Sequence, residues 1–184
     1  MGYYEDLKMS KKKSLVYLLR AALCAALIAV SSFITLPISA VPVTLQTFAV
    51  CTTAALLGMK WGVLSVAVYV LLGAIGLPVF SGFGGGIGVL AGAGGGFIWG
   101  FFIIAIVVGF VSDRWGSDFV KMIISMSVGT VGCYIAGALW YAFVFSGGEG
   151  IMAALTACVF PFIIPDIIKI TASAMVSSRL KKRI

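Results

Sequence analysis

Histidine is absent from this 184-residue chain, and only 10% of its residues are charged. Without histidine, the commonest metal ligand and the commonest general base are both missing. No Gly-Lys-Ser/Thr phosphate loop occurs, so any ATP hydrolysis belongs to other subunits. The four cysteines, Cys24, Cys51, Cys133 and Cys158, lie far apart in apolar stretches with no CxxC spacing. That pattern supports neither zinc nor redox-pair chemistry, and small buried hydrophobes account for them better. No catalytic residue, metal ligand or cofactor is therefore expected, and the chain does not read as an enzyme. The scarcity of charge excludes more still. A soluble domain carries about 25% charged residues to wet its surface. Here 61% of residues are apolar and the mean hydropathy is +1.16. The outer surface must face lipid.

What charge there is sums to +7, and its placement argues against nucleic acid. Lys8, Lys11, Lys12, Lys13 and Arg20 gather around the start of the first apolar run, and Arg179, Lys181, Lys182 and Arg183 follow the last. A nucleic-acid surface interleaves basic residues along one folded face. These clusters flank apolar segments instead, as positive-inside anchors do. Residues 1–13 and 179–184 are expected as basic cytoplasmic tails of a single transmembrane domain spanning 1–184. Lys11 to Lys13, an apolar run and Leu36-Pro37-Ile38-Ser39-Ala40 together resemble a secretory signal with its cleavage site. Arg20 interrupts that run, and later segments keep crossing, so a first transmembrane helix is expected instead.

A spanning helix needs about 17–25 mostly apolar residues. Runs at 15–36, 43–58, 62–76, 95–111, 119–145 and 161–178 predict six, the second rather short. Gly58-Met59-Lys60-Trp61-Gly62 and the stretch from Asp113 to Lys121 predict polar reversals on one side. The opposite loops, 37–42, 77–93 and 146–150, hold no Lys or Arg. Six crossings with both termini inside place every basic residue but Lys169 on the cytoplasmic side, as the charge rule asks. The expected fold is thus an all-α, multi-pass protein of the cell membrane. Its termini are cytoplasmic, and a glycine-rich outer loop joins its third and fourth helices.

Lys169 lies three residues after Asp166, within the last apolar run. Ionisable groups at membrane depth are rare, expensive and usually functional. At this spacing the two share a helix face, so they either serve a ligand or lock two helices together as an ion pair. Pro161 and Pro165 suit a helix that begins near Pro161 on the outer side, with Asp166 one to two turns inside. In the string from Gly76 to Gly96, glycines allow either a flexible loop or backbone that lines a cavity. Phe80 and Phe83, an apolar pair within it, argue for a lid. Ala21, Ala25 and Ala29 form a four-residue ladder with Ala22 and Ala26 beside it; such faces pack either a partner helix or the chain's own interior. Gly96 and Gly100 form a similar ladder, expected to be internal. Thr44 and Gln46 at the outer end of the second helix are able to contact a polar ligand or to cap the helix. Tyr69, Tyr134 and Tyr141 are candidates for a cavity wall or for interfacial belts.

Four strings together resemble the BioY family, the biotin-binding substrate subunits of energy-coupling factor (ECF) vitamin transporters. They are VPVTLQTF at 41–48, GLPVFSGFGGG at 76–86, GGGFIWGF at 94–101 with the segment before it, and PFIIPDIIK at 161–169. The resemblance implies a six-helix subunit that captures biotin from outside. It also implies a transmembrane coupling protein and two cytoplasmic ATPases as partners, with Ala21, Ala25 and Ala29 as the docking face. Biotin's ureido ring offers two N–H donors and a carbonyl, which suit Asp166 as acceptor and Lys169 as donor. Its apolar rings suit Phe, Tyr and Gly walls. Backbone N–H groups near Gly84, Gly85 and Gly86 would meet its carboxylate. The chain departs from the family pattern at Gly92–Phe97 and Pro165 and has no Arg near Gly84, so the group that meets the carboxylate stays open. The competing class is a self-sufficient transporter coupled to protons through Asp166.

Overall fold

A computed structural model describes residues 2–38, 41–146 and 151–181, with side chains from Ser14 onward except at positions 153 and 157. Residues 147–150 of the expected outer turn, and Lys182 and Arg183 of the last basic cluster, lie outside the described residues. The chain is mostly helical, and among the described residues five helices are long and apolar enough to cross a membrane. Helix α1 covers Gly2–Phe33, so its backbone is helical through the basic segment expected as a tail. Two-residue strands β1 (Thr35–Leu36) and β2 (Val43–Thr44) pair antiparallel and close the connection to α2, Gln46–Ala74.

Helical geometry within α2 is broken at Gly58, whose φ of 78° belongs to the left-handed region that glycine enters without strain. The chain reverses there. Residues 46 and 69 would lie about 35 Å apart along one straight helix, at 1.5 Å per residue. Instead the Gln46 amide donates to the Tyr69 hydroxyl at 2.5 Å. Met59 N–H, which opens the second arm, donates to Asp113 Oδ2 at 2.8 Å, a carboxylate at a helix N-terminus. The polar reversal expected around Gly58–Gly62 is therefore present, inside what local hydrogen bonding joins into one element.

The glycine-rich stretch that follows is a built structure. A 3-10 turn at Ser81–Phe83 precedes the short helix α3, Ile87–Ala91. Gly86 N–H donates to Gly73 O at 2.7 Å, and Ser32 Oγ donates to Val79 O at 2.8 Å. These bonds stitch the segment to α1 and α2. Phe80 turns inward, 1% exposed, and its ring fills the space where a Cβ on Gly73 would stand. The expected apolar lid pair is split, since Phe83 is 68% exposed and stacks on Phe33 at 4.4 Å.

Helix α4 (Gly95–Trp115) is the most deeply buried span and packs chiefly on α5 (Phe119–Trp140) and α2. A Cβ on Gly100 would come within 2.6 Å of Cys133 Sγ, so this small-residue face is used internally, as expected. A wider helical turn, Tyr141–Phe145, extends α5; α6 (Ile151–Cys158) and α7 (Phe160–Leu180) complete the order. Thr52 Oγ1 and Ser173 Oγ, 2.9 Å apart, tie α7 to the first arm of α2. At the end of the bundle holding Gly58, Lys181 donates to the carbonyls of Ala55 (3.2 Å) and Ser112 (3.3 Å) and to Ser112 Oγ. Burial pushes the Lys181 amine below its ordinary range, with Asp113 opposing that shift. This cation closes the C-terminal ends of two helices, where the helix dipoles favour positive charge.

Candidate functional site

The other end of the bundle encloses a cavity of about 180 Å³. Each wall follows from helical periodicity. From α5 come Thr130, Cys133 and Tyr134, and from α4 Phe97, Ile98 and Phe101, sets spaced three and four residues apart. Phe162 and Asp166 enter from successive turns of α7. Thr44, Gln46, Tyr69 and Phe80 complete the side nearest β2, α2 and the glycine-rich segment. The Phe97 and Phe162 rings stack at 5.5 Å, and the Tyr69 ring meets Phe80 edge-on at 5.5 Å. These aromatics make a rigid, mostly apolar enclosure.

One charged group shapes it. Asp166 is 2% exposed and accepts two hydrogen bonds: Tyr134 O–H to Oδ2 at 2.5 Å, and Lys169 Nζ–H to Oδ1 at 2.7 Å. A carboxylate has about four lone-pair positions, so two remain for other donors. Gln46 forms the second polar centre. Its backbone N–H donates to Thr44 Oγ1 (3.3 Å), the Thr44 hydroxyl donates to Gln46 Oε1 (3.1 Å), and its amide nitrogen serves Tyr69. Gln46 and Thr44 therefore both line the cavity and close the start of α2.

The expected site residues divide as follows. Asp166, Gln46, Thr44, Phe80, Tyr69 and Tyr134 come together from five separate stretches of chain. Lys169 stands behind Asp166 rather than in the cavity wall. Its amine is bonded to the carboxylate at the position from which it was expected to reach a ligand carbonyl. Phe83, Gly84, Gly85 and Gly86 lie outside the wall: Phe83 is exposed at the end of the 3-10 turn, and the three glycines that follow it are half-buried without lining the cavity. The N–H groups of Gly84 and Gly86 are already bonded to Ser81 O and Gly73 O. Ala21, Ala25 and Ala29, expected as the docking face, point inward. These residues are 1%, 1% and 9% exposed and face the chain's own interior, whereas Ala22 and Ala26 are exposed. Successive helical residues differ by 100°, so a shift of one position moves a ladder from one face to the next.

Thr130, Cys133, Phe97 and Phe162 were not legible as site residues. Helices α4 and α5 are apolar all round, and no periodicity marks which stripe turns inward. Phe162 alone carried a signal, four residues before Asp166.

An apolar cavity inside a helical multi-pass bundle, with a buried carboxylate in its wall, is the arrangement of a membrane-embedded site for a small molecule. Residues 8–184 match the sequence profile of the BioY family, and the chain belongs to that family of transporters, which are not enzymes. A Thermotoga maritima protein named biotin transporter BioY is 40% identical over 165 residues, which are 90% of this chain and 95% of that protein. A Pyrococcus horikoshii protein named probable biotin transporter BioY is 38% identical over 87% of this chain and 93% of its own. Among solved structures, the S-component for biotin from an ECF-type ABC transporter matches with a TM-score of 0.85 at 26% identity, covering 93% of each chain.

Proposed function

We propose that this chain is the biotin-binding subunit of an ECF-type vitamin uptake transporter in the cell membrane. The observation that carries the reading is Asp166, which keeps acceptor positions open toward an otherwise apolar and hydroxyl-lined cavity. Biotin's ureido N–H groups are donors on an apolar bicycle, the complement of that arrangement. Lys169 and Tyr134 hold the carboxylate oriented, and Phe80, Phe97 and Phe162 wall the rings. The names of the relatives and the solved S-component for biotin support this reading.

Six crossings follow if the two arms of α2 each count as one. The reversal at Gly58 and the grouping of Lys181 with Ala55 and Ser112 support an inner end where basic residues gather, with both termini on that side. The cavity then opens outward. Delivery requires a transmembrane coupling protein and two ATPases, which hydrolyse the ATP; this chain itself needs no cofactor. The exposed pair Ala22 and Ala26 replaces the buried ladder as the docking face for the coupling protein, since small residues let another helix approach closely. Calorimetric titration of the detergent-purified protein with biotin, desthiobiotin and unrelated vitamins tests the ligand. Saturable biotin binding is expected, and binding of another vitamin in its place would overturn the reading.

A further inference from the structure

The Asp166 cluster leaves the ligand's carbonyl unserved. Tyr134 has one hydroxyl hydrogen, and it is donated to Asp166. The Lys169 amine is not part of the cavity wall and is bonded to the other oxygen of the same carboxylate. A cyclic urea held by its N–H groups at Asp166 still presents a carbonyl oxygen, and burying that acceptor unpaired is unfavourable. One side chain in the wall has the complementary deficit. Thr130 stands one helical turn from Tyr134 on α5, is 3% exposed and lines the cavity. Its Oγ1 has no nitrogen or oxygen partner. It does not bond back to the carbonyl four residues earlier, the usual outlet for a helical threonine. Its polar neighbour is the Cys51 thiol, itself within electrostatic reach of Asp166.

We infer that Thr130 is a specificity-determining residue whose hydroxyl donates to the ureido carbonyl while Asp166 accepts from the ring N–H. The inference rests on the biotin reading above and adds to it the residue that distinguishes a urea carbonyl from an isosteric group. A buried hydroxyl that has only a weakly accepting thiol beside it in the empty protein gains an oxygen partner when ligand arrives. It therefore favours binding over the stability of the free state.

Calorimetry on wild type, Thr130→Val and Thr130→Ser with biotin and 2-iminobiotin tests this, alongside ligand-free melting. 2-Iminobiotin replaces the carbonyl oxygen with a protonated imine, which donates and cannot accept. Thr130→Val should weaken biotin binding by about fivefold or more while leaving 2-iminobiotin little changed, and Thr130→Ser should restore the wild-type preference. The ligand-free melting temperature of Thr130→Val should be unchanged or higher, because a buried hydroxyl with no nitrogen or oxygen partner is removed. Equal weakening toward both ligands, no rescue by serine, or wild-type affinity in the valine variant would overturn the assignment. Failure of wild type to bind biotin would instead overturn the functional reading on which it rests.

Discussion

Two Asp-x-x-Lys pairs occur in this chain with the same spacing and similar bond lengths, 2.9 Å for Asp118–Lys121 and 2.7 Å for Asp166–Lys169. Their surroundings differ completely. The Asp118 and Lys121 side chains are 68% and 49% exposed, whereas those of Asp166 and Lys169 are 3% and 10% exposed. Asp118 precedes the first turn of α5, where the helix dipole and water both stabilise a carboxylate. Asp166 has exchanged water for one ammonium and one phenol. A buried pair of this kind adds little net stability, because loss of hydration offsets the attraction, yet removing one partner is severe. On the function proposed above, a ligand accounts for its place beside the cavity, and the exposed pair needs no such account.

The largest effect expected is therefore at the buried pair. Asp166→Asn and Lys169→Ala should each weaken biotin binding at least tenfold, about 1.4 kcal/mol, by calorimetry. Each should also destabilise the protein, by up to about 3–5 kcal/mol where a buried charge is left alone, seen as a fall in melting temperature. Wild-type affinity in both would remove the site from this pair. The double variant Asp166→Asn/Lys169→Met separates the two roles, since it leaves no orphaned charge. Much of the lost stability should return while biotin binding stays weak; recovery of both would mean that the pair serves packing alone.

A smaller contrast of the same kind lies on α1, between one residue and the next. Ala25→Leu forces extra volume into a buried contact and should destabilise by about 1–3 kcal/mol on melting. Ala26→Leu should spare both folding and biotin binding but reduce co-purification with a coupling protein. Normal co-purification would move the docking face elsewhere. Least is expected at the exposed pair. Asp118→Ala should change stability by no more than about 1 kcal/mol and leave biotin affinity unaltered, as exposed ion pairs contribute little.

The same comparison explains what sequence reading reaches. Lipid-facing apolar runs, the reversal at Gly58 and the depth of Asp166 all follow from composition, glycine geometry and the position of charge along the chain. Gln46, Tyr69 and Tyr134 were candidates as polar or amphipathic groups inside apolar runs, and the fold brings them to one cavity. Facing was harder. In a water-soluble helix, polar residues mark the outside, but a lipid-exposed face is as apolar as the core. Nothing in the order of residues therefore distinguishes Ala25 from Ala26, or the inward Thr130 stripe from its neighbours. Phe80 and Phe83 were separated by a 3-10 turn with Gly82 at a φ of 69°, a local geometry that a glycine-rich string permits without specifying. Lys169 shares the helix and the turn of Asp166, but its amine is spent on that carboxylate.

A structure of the protein with biotin bound tests the central claim most directly. It should place a ureido nitrogen within about 2.7–3.2 Å of an Asp166 carboxylate oxygen, inside the cavity walled by Phe97 and Phe162. Biotin seated elsewhere, with the Asp166–Lys169–Tyr134 cluster sealed from it, would contradict the account.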